Sequence, residues 1–483
     1  MKSFFKKYDK FKIISLVLIV LAVLTWIIPA GAFTSGVLTS TTGGASAELT
    51  RIGIVNFMLG GVNSIYNYSL QIVFVLIIGA LYGVLSQVEG YKVLVSKIAN
   101  SLKGKEVMFA LVTSFIMALM SSVLTNTLML LVFIPFIINI ALKMKLDKMS
   151  AFLITFGSIL IGLVGVTFGS DGFLGFLYYM SSLVSGITID MHLLVRFGIL
   201  ALAYILYSFF TMQHVKKVLA AKKLDEEDTK DLFEVEESKA KKVNIWPLAI
   251  SFIIVAILVI LGFVDWKANF GIEMFDNFHT WFMGLTVGGH KIFTYLLSDY
   301  AAAFGYWDLI HIIVILLIVL GINALIYGVK FDQLIESALN GIKKIAKPLL
   351  IMILVYTVFI FMYWSPIMPQ IAEWIHGANE SLNPFLAMIS GTLSGILNVN
   401  FSYAGYTIGS YFSAYSLADG QLVTTIYAVM NGFASLIAPT SVILMIGLTY
   451  LNIPYTKWFK YIWKFLLGLL VCLIVIFALM AYL

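Results

Sequence analysis

Four clusters of small polar residues interrupt apolar stretches of the sequence, and they also contain glycine, asparagine or proline, which break helices. They occupy residues 121–127, 167–172, 398–403 and 431–441. Hydroxyl and carboxamide oxygens are neutral ligands for a dehydrated Na⁺, and the same groups can hydrogen-bond a carboxylate. Non-helical backbone at membrane depth is tolerated only inside protein or along a wet cavity. The four clusters are therefore candidates for a site that binds an ion and a small solute.

The candidate residues fall into two overlapping sets. The predicted substrate ligands share hydroxyl or carboxamide side chains: Ser122, Thr125, Asn126, Thr127, Asn398, Asn400, Ser402 and Thr440. The predicted ion ligands add backbone carbonyls and one carboxylate: Ser121, Asn126, Gly169, Ser170, Asp171, Asn398, Asn431, Ala438, Thr440 and Ser441. An ionisable side chain such as Asp171 within the membrane indicates a functional site by default, although this one could also lie in an outer vestibule. For any single hydroxyl, packing between helices is the alternative.

The elements that position these clusters must cross a membrane. The chain has 483 residues, 61% of them hydrophobic and 12% charged, with a mean hydropathy of +0.98. Soluble domains average about 25% charged residues, so this chain cannot cover itself with a polar surface. Apolar runs of about 20 residues recur along it, which indicates membrane helices. The strands of a transmembrane β-barrel would instead alternate apolar and polar residues.

The positions of the lysines predict the direction of each crossing. All but four of the 31 basic residues lie in six clusters, at 2–12, 92–105, 143–148, 216–242, 330–347 and 457–464. The positive-inside rule places all six in the cytoplasm. Lysines therefore flank 106–142 on one side of the membrane, and we expect this segment to enter and turn back near 121–127. The segment 383–416 contains no lysine, and one crossing, 422–451, separates it from the cytoplasmic Lys457. We therefore expect it to enter from outside and turn back near 398–402.

These assignments predict two inverted repeats with opposed re-entrant hairpins, each followed by an interrupted helix. The first half, 1–212, holds helices 13–32 and 69–87, an arm at 90–104, hairpin 106–142, interrupted helix 149–188 and helix 191–212. A charged cytoplasmic linker at 213–244 follows. The second half, 245–483, holds helices 246–264 and 308–328, an arm at 331–346, helix 348–364, hairpin 383–416, interrupted helix 422–451 and helix 459–481. The fold class is thus an all-α polytopic membrane protein.

Motifs for other chemistry are missing from the sequence. It has no His-Glu-x-x-His pattern and no phosphate-binding loop, and its one cysteine, Cys472, cannot form a pair within the chain. These absences argue against an enzyme and against ATP-driven transport by this chain alone. We therefore expect no cofactor, and an ion gradient or substrate exchange as the source of energy.

Three segments resemble a known family. The segments are LTWIIPAGAF at 24–33, IAPTSVILM at 437–445 and IPYTKW at 453–458. They resemble the YfcC/ArcD-like branch of the anaerobic C4-dicarboxylate carrier (DcuC) family in the ion transporter superfamily. The resemblance implies inverted repeats, a homodimeric scaffold and elevator-type alternating access. It also implies Na⁺ and substrate binding at the hairpin tips, which correspond here to Ser122, Thr125, Asn126, Thr127, Asn398, Asn400 and Ser402.

The expected function is secondary active transport of a small charged metabolite, an amino acid or a carboxylate, with Na⁺ as the coupling ion. Proton coupling and exchange of the arginine/ornithine kind are the alternatives. Relatives for basic amino acids often carry acidic residues near the first hairpin, where this chain has Thr-Asn-Thr at 125–127. The expected surroundings are the lipid bilayer of a bacterial inner membrane, with the N-terminus inside and the C-terminus outside, and no nucleic acid.

Overall fold

The computed structural model describes residues 9–34, 37–40, 51–169, 172–221, 230–235, 243–377 and 381–483. Among these, seven helices are long and apolar enough to cross a membrane. One further apolar pair, Ile54–Asn67 and Ser69–Leu85, is bent by 68°. The protein is therefore a helical, polytopic membrane protein. Two short antiparallel β-hairpins, which the sequence did not predict, lie in the loops.

The first half consists of one β-hairpin and ten α-helices within the described residues. The strands are β1 (Gly31–Thr34) and β2 (Val37–Ser40). The helices are α1 (Asp9–Ile27), α2 (Ile54–Asn67), α3 (Ser69–Leu85), α4 (Glu89–Ser101), α5 (Glu106–Val123), α6 (Ile134–Lys143), α7 (Lys148–Phe152), α8 (Ser158–Val164), α9 (Phe173–Leu183) and α10 (Leu193–Ala220). A 3₁₀ helix at Thr127–Val132 precedes α6, and a π-helical turn at Leu153–Gly157 joins α7 to α8.

The second half continues the same architecture. Its strands are β3 (Thr286–Val287) and β4 (His290–Lys291). Its described helices are α11 (Trp246–Phe263), α12 (Trp266–Phe270), α13 (Met274–Gly284), α14 (Ile292–Leu297), α15 (Leu309–Ile326), α16 (Phe331–Trp364), α17 (Met368–His376), α18 (Pro384–Leu397), α19 (Phe401–Ile408), α20 (Leu417–Ser435), α21 (Val442–Tyr450) and α22 (Tyr455–Tyr482). A second 3₁₀ helix, Gly409–Ala414, follows α19.

Three predicted boundaries are wrong. The helix predicted at 13–32 is α1 (Asp9–Ile27), and β1 follows at Gly31, because the residue before Pro29 disfavours helical backbone. The arm 331–346 and the helix 348–364 form one helix of 34 residues, α16, with Pro348 inside it. Proline removes one backbone donor, but the buried packing of α16 against α3 holds the helix together around it. The helix predicted at 191–212 continues to Ala220 as α10, because Val215 and Val218 of the charged segment are buried and its lysines favour helix.

Small residues let α3 and α16 approach within backbone contact. A Cβ atom on Gly341 would lie 2.0 Å from the carbonyl oxygen of Gly79, and one on Gly83 would lie 2.3 Å from that of Ser337. Such distances are possible only for glycine, because a methyl group would force the helices apart. The α3–α16 pair is therefore a rigid unit, and the distance between the two helix axes depends on single glycines such as Gly79, Gly83 and Gly341.

We expect Gly341→Ala to lower the stability of the purified protein by about 1–3 kcal/mol, because the added methyl overpacks a backbone contact. Thermal unfolding in detergent measures the change. Gly321→Ala in α15 is the matched control, since a Cβ there meets nothing within 4 Å. Equal melting temperatures for the two variants would contradict the close packing of α3 and α16.

Part of the charged linker is packed against the helices. Phe233 is fully buried, with its ring centroid 5.9 Å from that of Tyr82 in α3 and 6.4 Å from that of Tyr450 in α21. The ammonium of Lys344 in α16 lies 5.6 Å from the same ring. Asp231 Oδ2 accepts hydrogen bonds from the Tyr450 hydroxyl at 3.4 Å and from the Phe233 amide at 3.3 Å. The segment 230–235 therefore joins three helices that are distant in sequence.

Burial raises the pKa of the Asp231 carboxyl to about 6 from an ordinary value of 3.8. The folded state thus holds this proton more tightly than the unfolded chain, and the stabilisation present at low pH is lost as the pH rises through about 6. We expect Asp231→Asn to stabilise the protein at pH 8 by about 1–2 kcal/mol and to change little at pH 4. Thermal unfolding at both pH values tests this, with the exposed neighbour Glu234→Gln as the control. A shift that is the same at both pH values would contradict it.

Candidate functional site

A cavity of about 270 Å³ lies where the helix breaks of both halves meet. Its polar lining comes from the break after α5, the break between α18 and α19, and the break between α20 and α21, with Gly172 from the break between α8 and α9. The predicted site residues that line it are Thr125, Asn126, Asn398, Asn400, Ser402, Asn431, Thr440 and Ser441. Residues from sequence positions more than 300 apart therefore share one polar chamber.

At the first break, α5 ends at Val123 and the chain becomes extended through Leu124. Asn126 then begins the 3₁₀ helix, and its Oδ1 accepts a hydrogen bond from the Leu128 amide at 3.0 Å. Thr125 is fixed from outside the hairpin, since its hydroxyl donates to the carbonyl of Phe263 at 3.1 Å. Asparagine suits this position because its short side chain can satisfy the first free amide of a helix.

The second break repeats this arrangement. Helix α18 ends at Leu397, and Asn400 begins α19 by accepting a hydrogen bond from the Ser402 amide at 3.0 Å. Asn398 donates through Nδ2 to Ser394 Oγ at 3.1 Å, and the Ser402 hydroxyl donates to the carbonyl of Gly172 at 3.1 Å. The break between α18 and α19 is thereby tied to the break between α8 and α9.

Two threonines in the other helix breaks donate hydrogen bonds to carbonyls just before Asn126 and Asn400. The Thr440 hydroxyl donates to the carbonyl of Ile396 at 2.6 Å, and the Thr167 hydroxyl donates to that of Ser122 at 3.0 Å. Ile396 precedes the capping Asn400 by four residues, just as Ser122 precedes Asn126. The same pair of contacts thus occurs once in each half.

Several predicted site residues do not line the cavity. Ser121 and Ser122 are fully buried, and their hydroxyls donate to the carbonyls of Ile159 at 2.7 Å and Leu119 at 2.8 Å. Thr127 is also buried in the core. Two further predicted ion ligands are buried outside the cavity lining: Gly169 and Ala438. Ser170 and Asp171 lie outside the described residues.

The hydroxyls of Ser121 and Ser122 therefore bond between or within packed helices and do not face the cavity. Packing of this kind was the alternative to a site role for any single hydroxyl. Their neighbours explain it: a Cβ on Gly162 of α8 would lie 2.6 Å from that of Ser121, so the two helices touch at this level. Only the residues after Val123, where the helix has ended, turn towards the chamber. Helical periodicity alone could not separate these groups, because the end of α5 is set by contacts with α8 and α11.

Three cavity residues come from helices that the sequence did not assign to the site. Tyr68 and Gln71 lie at the bend between α2 and α3, and Tyr356 lies in α16. The rings of Tyr68 and Tyr356 stack with centroids 3.7 Å apart and planes 6° apart. The sequence signal was one glutamine at the start of the apolar run 69–85, preceded by polar residues at 67–69. These residues form the wall that α3 and α16 contribute to the cavity.

Arg196 holds the break between α8 and α9 from the start of α10. The residue is fully buried, and its Nη1 donates to the carbonyls of Thr167 at 2.8 Å and Val166 at 3.4 Å. Its Nη2 donates to the carbonyl of Ile189. A guanidinium can satisfy several diverging acceptors because its donors form a rigid planar fork. Arg196 therefore supplies the hydrogen bonds that the unwound backbone at 165–169 lacks.

None of the described residues that line the cavity carries a charge. Its polar groups are carboxamides, hydroxyls and backbone at helix ends. The first turns of α19 and α21 begin at the cavity, and helix N-termini favour negative charge. The breaks also expose carbonyls, which favour cations. The chamber is thus able to hold a small molecule with both polar donors and acceptors.

A family model and several solved structures match the chain. The family model for the C4-dicarboxylate anaerobic carrier (DcuC) matches residues 9–482. The similar solved structures include two transport proteins. The YdaH transporter of Alcanivorax borkumensis has 13% identity and a TM-score of 0.42, covering 98% of this chain and 97% of that chain. MtrF of Neisseria gonorrhoeae, described among antimetabolite efflux pumps, has 10% identity and a TM-score of 0.35, covering 98% and 95%.

No curated protein matches the chain. The family match, however, spans nearly its whole length, including every helix break that contributes to the cavity. The family resemblance expected from the three sequence segments is therefore confirmed. The chain belongs to the C4-dicarboxylate anaerobic carrier family, a family of membrane transporters.

Proposed function

We propose that this protein is a secondary active transporter that imports a small amino acid or carboxylate with Na⁺ across a bacterial inner membrane. The cavity at the meeting point of the helix breaks is the observation that carries the proposal. Neutral oxygens and freed carbonyls would hold Na⁺, while the first turns of α19 and α21 would hold a substrate carboxylate. A dehydrated charge needs such groups, since membrane interior offers no water.

The proposed mechanism is an elevator in which two re-entrant hairpins carry the substrate. The first hairpin is 106–142, and its return helix α6 lies beside the arm α4 that leads into α5. Asn139 Nδ2 donates to the Tyr91 hydroxyl at 3.3 Å, and the rings of Tyr91 and Phe136 lie 6.1 Å apart. The beginning and the end of the segment thus lie near the same helix, which supports a turn back, although α5 alone is long enough to cross.

The second hairpin, 383–416, is closed in a similar way. The Tyr411 hydroxyl in the returning 3₁₀ helix donates to the carbonyl of Gly377, which precedes the hairpin. The same contacts by Thr167 and Thr440 in the two halves support an inverted repeat. In this proposal the hairpins and interrupted helices move as one body against a homodimeric scaffold that contains α1, α3, α11 and α15.

Transport driven by a defined gradient tests the function. The purified protein is reconstituted in liposomes, and uptake of a panel of labelled amino acids and carboxylates is measured. We expect accumulation when Na⁺ is placed outside only, and none when K⁺ replaces it. Uptake that follows a pH gradient in Na⁺-free buffer would instead support proton coupling. Uptake that requires substrate inside the vesicle would support exchange.

Cysteine labelling in cells tests the first hairpin. In a Cys472→Ser background, Lys105→Cys and Lys145→Cys place one thiol before α5 and one after α6. We expect both to be protected from a membrane-impermeant thiol reagent added outside, whereas Lys267→Cys in the α12 loop is labelled. Labelling of only one of the first two positions would show that 106–142 crosses once, and the elevator proposal would fail.

A further inference from the structure

The two walls of the cavity differ in how their polar atoms are used. On the hairpin wall, the side chains of Asn126, Asn400 and Ser402 each make a hydrogen bond within the protein. The hydroxyls of Thr125 and Thr440 do so as well. These groups shape the chamber with much of their hydrogen-bonding capacity already used. The wall from α3 and α16 holds an enclosed acceptor that receives no hydrogen bond from any described residue.

Gln71 provides that acceptor. Its Oε1 is enclosed and accepts no hydrogen bond from any described residue, although the side chain lines the cavity. The position is fixed because Gln71 lies in the first turn of α3, directly after the 68° bend at Tyr68. Tyr68 in turn is locked by its stack on Tyr356.

An enclosed carbonyl oxygen without a donor is unfavourable, so a bound molecule that supplies an N–H or O–H gains from contact with it. The carboxamide has no net charge, and no other described lining residue is charged. Recognition by Gln71 would therefore depend on a hydrogen-bond donor of the ligand and not on its net charge. A site that uses such a bond rejects analogues that lack the donor.

We propose that Gln71 is a specificity-determining residue whose Oε1 accepts a hydrogen bond from an amino or hydroxyl group of the substrate. The inference rests on the proposed function and narrows its substrate class to small amino or hydroxy carboxylates. A carboxylate at the first turns of α19 and α21 and a donor at Gln71 would span the chamber from one wall to the other. Simple dicarboxylates would leave the Gln71 oxygen unpaired.

Binding of matched ligands to the purified protein tests the assignment. Succinate, malate and aspartate share a four-carbon dicarboxylate skeleton and differ by the absence of a donor, a hydroxyl or an amino group. We expect the wild type to bind malate or aspartate about tenfold more tightly than succinate in thermal-shift titrations. Gln71→Leu should weaken only the preferred ligand, to the level of succinate. Gln71→Glu keeps an acceptor but adds a negative charge, so it should retain aspartate, whose ammonium can pair with it, and weaken malate.

Gln87→Leu is the matched control, because this exposed glutamine lies at the other end of α3 outside the cavity. We expect it to bind all three ligands as the wild type does. Equal binding of the three ligands by the wild type overturns the role of Gln71 and leaves the transporter proposal standing. A uniform loss of all ligands in Gln71→Leu, with the fold intact, also overturns it. If no small carboxylate or amino acid binds the wild type, both proposals fail.

Discussion

Asn400→Ala is expected to reduce uptake to a tenth or less of the wild-type rate while the protein still folds and reaches the membrane. The side chain begins α19 at the cavity and faces the Tyr68 hydroxyl on the opposite wall. Loss of a helix cap costs about 1 kcal/mol of stability, which a large membrane protein tolerates. Loss of a hydrogen-bonding group at the substrate would cost about 1.5–3 kcal/mol of binding, or ten- to a hundredfold in affinity.

Asn126→Ala should have the same effect, because Asn126 occupies the equivalent cap in the first hairpin. Uptake in proteoliposomes and the amount of folded protein by size-exclusion chromatography are measured together. The control is Asn67→Ala at the exposed end of α2, where the amide bonds only to the Asn63 carbonyl at 2.9 Å. Wild-type uptake by both cap variants would place the substrate somewhere other than at the hairpin tips.

Arg196→Leu is expected to have the largest effect on folding. The change leaves the carbonyls of Val166 and Thr167 in the break between α8 and α9, and that of Ile189 shortly before α10, without their donor. The bonds to Val166 and Thr167 are buried, and the bond to Ile189 is partly buried. Each unsatisfied buried group costs about 1–3 kcal/mol, so we expect a total loss of about 3–5 kcal/mol. Most of the protein should then be lost during purification, and what remains should unfold at a much lower temperature.

Two variants distinguish this role from a simple need for positive charge. Arg196→Lys keeps the charge, but one ammonium cannot reach acceptors in both 166–167 and 189, so we expect a partial loss of stability. Arg51→Leu removes an exposed arginine that lies 5.5 Å from the Trp26 ring and should change stability by less than about 0.5 kcal/mol. Wild-type stability of Arg196→Leu would show that the break is held by other contacts.

The four polar clusters were visible in the sequence because a membrane helix rarely carries several helix breakers beside hydroxyls and amides. We expected the four clusters to come together in space. In the structure, residues of three clusters line one chamber, and the fourth contributes Gly172. The sequence could not tell Ser121 and Ser122 from Thr125 and Asn126, although all four lie within six residues. The distinction depends on where α5 ends, and contacts with α8 and α11 determine that end.

Gln71, Tyr356 and Arg196 illustrate what pattern alone does not show. Gln71 and Tyr356 are single polar residues in apolar helices, which is the usual appearance of a packing residue. In the sequence, Arg196 is one of four basic residues outside the lysine clusters, and nothing in the pattern indicated a structural role. The role of each depends on groups far away in the sequence. Gln71 lines a cavity with residues of the second half, Tyr356 stacks on Tyr68, and Arg196 donates to the carbonyls of 166–167.

The sequence by itself determined that this chain lies in a membrane, which segments are apolar and where they break, because the cost of exposing polar backbone to lipid acts locally. Three short sequence segments also indicated the family to which the chain belongs. Only the tertiary structure decided which breaks meet, which hydroxyls face the chamber and which wall opposes the hairpins. Those outcomes depend on how the helices pack, which single glycines such as Gly341 can decide. Helix packing involves contacts between residues far apart in the sequence, and no local sequence pattern shows which residues will meet.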